Sequence, residues 1–223
     1  MHSGLRVAVE GNMGVGKSTL LPRLRDVLPG DWDVLCERAD EDPEFKTLLA
    51  DFYKDPNKQP QFQSWITNRR LSDFKKLENN PQNILFERSF LGEVVFCHAN
   101  LIRHEKPDGT HINFFYNSLN ALKHCRYDVV VYLKASPERC FERMQHRGRD
   151  AEKTVQLEYA RYLHACYEAH LPETARMMNI PLLTIDWENF GEPELIRDEM
   201  VKLLKKLEPS PMQRISPKGA IRP

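Results

Sequence analysis

The sequence predicts an α/β fold in which a parallel β-sheet is covered by helices on both faces. Short apolar runs alternate along the chain with longer segments of helical periodicity, which is typical of this class. Several of the runs are apolar throughout, as expected for strands that are buried on both faces. A chain of 223 residues suits one such domain with a full core.

Five apolar runs are predicted as strands: Leu5–Val9, Val34–Glu37, Ile84–Glu87, Val129–Leu133 and Leu182–Ile185. Helices are predicted near residues 17–28, 44–53, 60–78, 90–104, 111–123, 137–147, 154–178 and 192–207. We expect one domain over residues 1–207. Residues 208–223 are rich in Pro and basic side chains with few core formers, so we expect a loose tail there.

Composition excludes several classes of partner. Acidic and basic residues balance at 32 each, so the chain is not built to neutralise nucleic acid. No apolar run approaches the length of a membrane span. The five cysteines are scattered without a CxxC pair, which favours reduced thiols in a cytoplasmic compartment. We therefore expect small-molecule partners, without nucleic acid or membrane.

A glycine-rich loop follows the first predicted strand and precedes a predicted helix. Its residues Gly11–Ser18 fit the pattern GxxxxGK[ST]. Glycines let backbone N–H groups surround an anion, and the helix N-terminus adds positive charge. Lys17 is then expected to reach the β- and γ-phosphates, and Ser18 to hold Mg²⁺. The predicted ATP-binding residues of the loop are Gly11, Asn12, Met13, Gly14, Val15, Gly16, Lys17, Ser18 and Thr19.

Two predicted strands end in glutamates, Glu37 and Glu87, and Arg88 follows the second. Because ligands collect at the carboxyl ends of parallel strands, both acids should face the phosphate loop. Phosphoryl transfer to a hydroxyl needs one carboxylate to accept the proton and another to orient Mg²⁺. Arg88 is expected to bridge the transferred phosphoryl group and the acceptor hydroxyl. The alternative is that these strand-end charges meet water.

An arginine-rich segment near residues 143–153 has the pattern of a lid. Ser136-Pro137 begins a helix that carries Arg143 and Arg147 on one face, Gly148 breaks that helix, and Arg149 follows. Arginines around a glycine hinge suit a flap that closes over a triphosphate and excludes water. The alternative is a solvated basic helix face.

A stripe on the helix near 60–78 combines aromatic and polar side chains. Phe62, Gln63, Ile66 and Arg70 lie on adjoining positions of one face. An amide suits the polar edge of a nucleobase, because it offers both a donor and an acceptor. The stripe therefore indicates a ligand face, or else a helix edge whose polar residues meet solvent.

Together these segments resemble the deoxynucleoside kinase family, the group that includes deoxycytidine, deoxyguanosine and mitochondrial thymidine kinases. The resemblance covers about Val7 to Leu207 and is carried by EGNMGVGKST, FYKDP followed by FQ, ERS, YLKASPERCFERMQHRGRDAE and LEY. TIDWENF, at Thr184–Phe190, resembles the loop that holds the adenine of ATP. The resemblance implies a P-loop kinase fold with a five-stranded parallel sheet, an arginine-rich lid and a homodimer. The short chain and compact lid also resemble viral and bacterial members.

The resemblance also implies a role for individual residues. Glu37 corresponds to the general base for the 5′-hydroxyl, and Glu87 and Arg88 to the acid and arginine of the ERS motif. The other implied nucleoside-binding residues are Tyr53 and Glu152 for the 3′-hydroxyl, Gln63, Arg70 and Glu93 for the base, and the aromatics Phe62 and Phe96. The other implied ATP-binding residues are Arg143, Arg147, Arg149, Asp186 and Phe190.

Some positions depart from the family pattern. Arg38, Ala39 and Asp40 follow Glu37, where many members have Pro and then Trp. Glu93 stands where Asp is common. Arg70 together with an acid at position 93 favours deoxycytidine or a purine deoxynucleoside.

We therefore expect ATP- and Mg²⁺-dependent phosphorylation of a deoxynucleoside at its 5′-hydroxyl, a reaction of nucleotide salvage. One alternative is a nucleoside monophosphate kinase such as thymidylate kinase, but Glu37 stands where such an enzyme needs arginines for the acceptor phosphate. A second alternative is a P-loop protein whose interactions are gated by nucleotide, which would need no polar stripe at Gln63 and Arg70.

Overall fold

The computed structural model describes residues 4–37, 41–77, 80–103 and 109–207. Its five strands are β1 Arg6–Glu10, β2 Trp32–Leu35, β3 Asn83–Glu87, β4 Val129–Lys134 and β5 Leu182–Asp186. They form one sheet in the order β2-β3-β1-β4-β5, and every neighbouring pair is parallel. The predicted five-stranded parallel sheet is confirmed.

The described residues also form eight α-helices: α1 Lys17–Val27, α2 Pro43–Lys54, α3 Gln59–Leu77, α4 Phe90–Arg103, α5 Gly109–Leu122, α6 Pro137–Arg147, α7 Leu157–Met177 and α8 Pro193–Leu207. Each corresponds to a predicted helix. The largest shift is at α7, which begins at Leu157 because its N-cap residue, Gln156, is in an extended conformation. A short 3-10 helix, Asp150–Glu152, precedes it. The predicted tail, 208–223, and residues 38–40 lie outside the described residues.

The prediction for the second strand was wrong at its end. β2 pairs only with β3, and that pairing finishes where Leu35 lies opposite Phe86. Glu37 lies two residues beyond the strand, where its backbone N–H meets the Glu87 carboxylate at 3.4 Å instead of a ladder partner.

Helices cover both faces of the sheet, as predicted. Alternate residues of β1 show this, since Val7 and Val9 pack in a core with α1 and α8, whereas Ala8 packs in a second core with α4 and α7. β1 is buried along its whole length. The double cover explains the continuous apolar character of the central strands.

The carboxyl ends of β1, β2 and β3 meet on one edge of the sheet. The chain leaves β1 through α1 and returns at β2, two positions away, while β4 lies on the other side of β1. Such a switch in direction leaves a crevice at the carboxyl ends, where ligands bind in open α/β sheets. Among the described helices, none combines the length and apolar character that a membrane span requires.

Candidate active site

A cavity of about 680 Å³ opens at this edge of the sheet. The phosphate loop, α2, α3, α4, α6 and the segment after β5 contribute to its walls. Most of the predicted site residues line it, and those that do not are Gly11, Asn12, Val15 and Asp186. The structure thus brings the predicted nucleotide and nucleoside residues into one continuous space.

The phosphate loop depends on glycines at two close approaches. Gly14 has a φ of +75°, and a Cβ there would lie 2.1 Å from the carbonyl oxygen of Cys140 in α6. Gly16 has a φ of +106°, and a Cβ there would lie 2.7 Å from the Phe190 ring. Both backbone conformations are ones that larger residues rarely adopt. The loop is therefore packed against the lid helix and the segment after β5.

Lys17 begins α1, and its ammonium group folds back over the loop. Nζ donates hydrogen bonds to the carbonyl oxygens of Gly11 and Asn12, each at 3.0 Å. Burial, assisted by the charge of Arg88, lowers the pKa of Lys17 to about 7. The site therefore holds a lysine whose charge an anionic ligand would stabilise.

Three loop residues point into the protein instead of the cavity. The side chain of Asn12 donates to the Ala160 carbonyl at 3.0 Å and accepts from the Met13 N–H at 2.8 Å. Val15 is fully buried in the core, and Gly11 contributes its backbone carbonyl to Lys17. These residues anchor the loop, so any contact that they make with phosphate would come from their backbone.

The predicted adenine loop contacts the lid through Arg143. Its guanidinium lies 3.9 Å from the centre of the Phe190 ring and donates to the carbonyls of Trp187 and Glu188. Asp186 is exposed and accepts a hydrogen bond from the Glu188 N–H at 3.0 Å, so its carboxylate stabilises the turn instead of facing the cavity. Phe190 lines the cavity and Asp186 does not.

Ser18 and Glu87 meet beside the phosphate loop. The Ser18 hydroxyl donates to Glu87 Oε1 at 2.7 Å, and both residues line the cavity. Hydroxyl and carboxylate oxygens are the protein ligands that Mg²⁺ prefers in combination with phosphate oxygens. The donor set of this pair therefore fits a magnesium ion.

Glu37 is held between two arginines. Its Oε2 accepts from Arg88 Nε at 3.2 Å, and its Oε1 is paired with Arg70 Nη2. Burial opposes ionisation, but the charges of Arg88, Arg70 and Lys17 prevail and hold the pKa of Glu37 below its ordinary value. A carboxylate that is ionised at neutral pH therefore lies in the same cavity as the phosphate loop.

A polar cluster on the wall opposite the loop centres on Glu93. Its Oε1 accepts from Arg70 at 2.7 Å, and its Oε2 accepts from Thr67 at 2.7 Å and from Gln63 at 3.3 Å. Thr67 was not predicted, although its spacing of four residues from Gln63 puts it on the same helix face. Phe96, one turn of α4 after Glu93, lines the cavity.

The predicted 3′-hydroxyl residues and the lid arginines adjoin one another. Tyr53 donates to the sulfur of Met13 at 2.8 Å. Glu152 is buried and accepts two hydrogen bonds from Arg147, at 2.8 and 2.6 Å, with Arg149 at 3.6 Å. The lid is therefore tied to an acid that also lines the cavity.

Sequence reasoning missed several apolar and polar walls of the cavity. Phe45, Leu49 and Phe52 line it from one face of α2, and Asn100 lines it from α4. The spacing of the α2 residues indicates an amphipathic helix, but it does not distinguish a core face from a cavity wall. Arg139, Glu142 and His146 share the Arg143 face of α6, so their spacing was the available signal.

Comparison with known proteins agrees with this geometry. A family model described as deoxynucleoside kinase matches residues 7–207. The chain is 30% identical over 205 residues to a deoxyadenosine kinase of Dictyostelium discoideum, covering 89% of this chain and 78% of that protein. It is 31% identical over 201 residues to a probable deoxycytidine kinase of fowlpox virus, covering 86% and 81%. In fold it is similar to a solved deoxyadenosine kinase from M. mycoides with bound dATP, with a TM-score of 0.75, 24% identity, and 88% and 99% of the chains covered.

Proposed function

Because the chain belongs to the deoxynucleoside kinase family, we propose that Glu37 is the general base of an ATP-dependent phosphorylation at the 5′-hydroxyl of a deoxynucleoside. The family membership establishes the activity itself, deoxynucleoside phosphorylation with ATP, and the matches favour neither a nucleoside monophosphate kinase nor a nucleotide-gated interaction protein. The roles of individual residues are our proposal.

One observation carries the proposal: Glu37 lines the same cavity as Lys17 and the phosphate loop. In the proposed step the 5′-oxygen attacks the γ-phosphorus of ATP, and the bond from that phosphorus to the β,γ-bridging oxygen breaks. The hydroxyl proton passes to the Glu37 carboxylate, which the neighbouring arginines keep ionised. ADP leaves with the bridging oxygen.

Cationic side chains balance the charge that moves during transfer. Lys17 is proposed to pair with the β- and γ-phosphates, and Arg88 with the transferred phosphoryl group. Arg143, Arg147 and Arg149 are proposed to close over the triphosphate. Ser18 and Glu87 would hold Mg²⁺, which would supply positive charge at the phosphates.

The polar cluster around Glu93 supports a preference of the enzyme for particular nucleobases. Cytosine and adenine carry an exocyclic amino group that can donate to the Glu93 carboxylate, whereas thymine carries a carbonyl oxygen that the carboxylate repels. Gln63 is proposed to bond the adjacent ring edge, and Phe62 and Phe96 to pack against the base. We therefore propose a preference for deoxyadenosine and deoxycytidine over thymidine, in keeping with the named substrates of the two relatives.

The deoxyribose is proposed to lie between Tyr53 and Glu152, which would hold its 3′-hydroxyl. Glu152 is bonded to Arg147 of the lid helix. When the 3′-hydroxyl binds to Glu152, it would replace a hydrogen bond between Glu152 and Arg147 of the lid helix. Closure of the lid would therefore depend on the nucleoside.

A direct assay tests both the acceptor and the base. Purified protein with MgATP is given each of the four deoxynucleosides and, separately, the corresponding 5′-monophosphates, and labelled products are separated. We expect the rates of phosphorylation of deoxyadenosine and deoxycytidine to exceed the rate for thymidine by about tenfold or more. A single mismatched polar contact discriminates between substrates by about this factor. Faster turnover of thymidine would contradict the base assignment, and faster turnover of the monophosphates would contradict the acceptor assignment.

Beyond the active site, we propose a cytoplasmic homodimer that serves nucleotide salvage, in the host cytosol if the protein is viral. Its kinase domain would span residues 1–207, with the lid at 143–153. Sedimentation velocity distinguishes a dimer from a monomer of 26.1 kDa.

A further inference from the structure

Glu10 is a buried carboxylate to which the proposed reaction gives no role. It is the last residue of β1 and is fully buried. Its Oε1 accepts from the backbone N–H of Ser89 at 2.5 Å and from the Ser89 hydroxyl at 2.7 Å. Its Oε2 accepts from the Tyr167 hydroxyl at 3.0 Å. Burying a carboxylate is costly unless its oxygens are bonded, and here both are.

The Tyr167 hydroxyl links Glu10 to Arg88. Tyr167 lies on α7, is fully buried, and accepts a hydrogen bond from Arg88 Nη1 at 2.9 Å. A guanidinium can only donate, so the phenolic proton is left for Glu10 and the direction of the chain is fixed. Burial, together with the charge of Glu10, raises the pKa of Tyr167 well above its ordinary value, so the phenol keeps that proton.

Glu10 also fixes the backbone next to Arg88. Arg88 has a φ of +71°, which is uncommon for a residue other than glycine. Such a conformation persists where surrounding contacts over-determine it. Since Glu10 binds both the N–H and the hydroxyl of Ser89, it restrains the chain immediately after Arg88 and, through Tyr167, the guanidinium as well.

These contacts leave one end of the guanidinium for a ligand. Arg88 Nε donates to Glu37, and Nη1 donates to the Gly11 carbonyl and to Tyr167. Nη2 makes no hydrogen bond with the residues that the structure describes, and Arg88 lines the cavity. The group is thus held through Nε and Nη1, with its carbon 4.6 Å from the centre of the Phe96 ring, while Nη2 keeps two N–H donors.

We propose that Glu10 and Tyr167 are positioning residues, which hold the Arg88 guanidinium beside Glu37 so that Nη2 meets the transferred phosphoryl group. Donors that are already oriented before charge develops stabilise a transition state without reorganisation. Neither residue touches the substrate, and each acts through Arg88. The inference rests on the proposed role of Arg88 in phosphoryl transfer.

A pair of hydroxyl deletions isolates this role. Tyr167→Phe removes the hydrogen-bonded link and leaves only the direct approach of Glu10 Oε2 to Arg88 Nη1, at 3.9 Å. Tyr132→Phe is the matched control, because the Tyr132 ring is stacked on Tyr167 while its hydroxyl bonds Glu168 at 2.8 Å. We expect Tyr167→Phe to lower kcat about 10- to 100-fold, as a misplaced catalytic group does, with each KM changed less than about threefold. Tyr132→Phe should keep the wild-type kcat. Equal kcat values for Tyr167→Phe and wild type would overturn the proposal.

The same substitution in an Arg88→Lys background separates positioning from general damage. Lysine lacks the guanidinium that Tyr167 orients. In the Arg88→Lys background, Tyr167→Phe should therefore lower kcat by less than about a further threefold. A purely structural role would lower kcat by the same factor in both backgrounds, and that result would reject the inference.

The outcomes also distinguish the inference from the proposed function. Full activity of both Arg88→Lys and Glu37→Gln would reject the catalytic assignments themselves. An impaired Arg88→Lys with a normal Tyr167→Phe would reject only the positioning role. If thermal melting shows that Tyr167→Phe does not fold, Glu10→Gln takes its place, with a fall in kcat at nearly constant KM expected and a normal kcat contradicting the proposal.

Discussion

At the scale of single residues, the buried cations of the site differ in the partners that they bind. Arg70 and Arg88 are both paired with the Glu37 carboxylate, whereas Lys17 donates to two backbone carbonyls. A carbonyl dipole stabilises an ammonium less than a carboxylate does, and burial then lowers the pKa of Lys17 to about 7. The lysine therefore gains most from the arrival of an anion.

ATP binding should therefore be accompanied by proton uptake. Burial lowers the pKa of Lys17 to about 7, below the pH of 8 of the measurement, and pairing with phosphate would restore its proton, so we expect net uptake of up to one proton per ATP. Titration calorimetry without an acceptor, in two buffers of different ionisation enthalpy at pH 8, measures this number. Lys17→Arg, which stays charged, should lose the uptake, and equal heats in the two buffers for the wild type would contradict the account.

The place of a residue in the cavity could be predicted where the signal is local, as for Lys17 and Ser18, which belong to the glycine-rich motif and line the cavity. Glu10 stands next to the same loop, yet nothing in its local pattern reveals that it is buried or what it contacts. Its partner Tyr167 lies 157 residues away, and the spacing of α7 fits a plain core position. Thr67 could have been predicted from the sequence, because it shares a helix face with Gln63.

At the scale of elements, the glycine-rich loop, helix α6 and the segment after β5 pack as neighbours. Gly14 lies against the backbone of α6, Gly16 lies against Phe190, and Arg143 joins α6 to the segment after β5. The Ser136 N–H and hydroxyl donate to Glu188 at 2.6 and 2.8 Å, which fastens the start of α6 to the same segment. A substitution that moves the loop should therefore also displace helix α6.

Gly14→Ala tests this packing. The added Cβ would lie 2.1 Å from the Cys140 carbonyl oxygen in a backbone conformation that alanine adopts poorly, so the loop must move away from α6. We expect ATP affinity to fall by about 5- to 150-fold, the range that corresponds to a strain of about 1–3 kcal/mol. Gly109→Ala is the control, because no atom lies within 4 Å of its added Cβ. Similar ATP affinities in calorimetry for the two variants would argue against the packed loop.

Elements were predicted well where hydrophobic periodicity is strong, and their ends were predicted poorly where strand pairing determines them. The helical patterns gave all eight helices of the described residues. The end of β2 depends on where its ladder with β3 finishes, and no local pattern marks that point. The start of α7 was missed by three residues because its N-cap, Gln156, makes no side-chain capping hydrogen bond and carries no capping signal in the sequence.

At the scale of the whole molecule, the sheet separates two apolar cores. One lies between the sheet and helices α1 and α8, and the other lies between the sheet and the helices that also wall the cavity. None of the described side chains of the first core is among those that line the cavity. Its packing therefore supports the fold without forming a cavity wall.

Leu24→Ala should destabilise the protein through this first core. Leu24 is fully buried on α1, and a deletion of this kind costs about 2–5 kcal/mol. Leu195→Ala is the matched control, because Leu195 on α8 is 64% exposed and should cost less than about 0.5 kcal/mol. The free energy of unfolding in urea measures both, and equal values for the two variants would contradict the assigned core.

The order of strands was beyond pattern reasoning. Strand and helix alternation predicts a parallel sheet, but the order β2-β3-β1-β4-β5 depends on contacts between distant segments. Family resemblance supplied the five-stranded P-loop kinase fold, and its motifs supplied the residues of the cavity. Pattern alone predicted the phosphate loop after β1 and Glu87 at the end of β3, because each is a local signal with a fixed position relative to a strand, whereas Glu37 lies two residues beyond β2.

The most direct test of the account is the effect of Glu37→Gln on turnover and on ATP binding. The amide keeps the shape of the side chain but cannot accept the hydroxyl proton, so kcat should fall by about 100-fold or more while the Kd for ATP changes less than about threefold. Glu192→Gln, at an exposed ion pair with Arg23, serves as the control and should retain wild-type turnover. Unchanged kcat in Glu37→Gln would contradict the proposed mechanism.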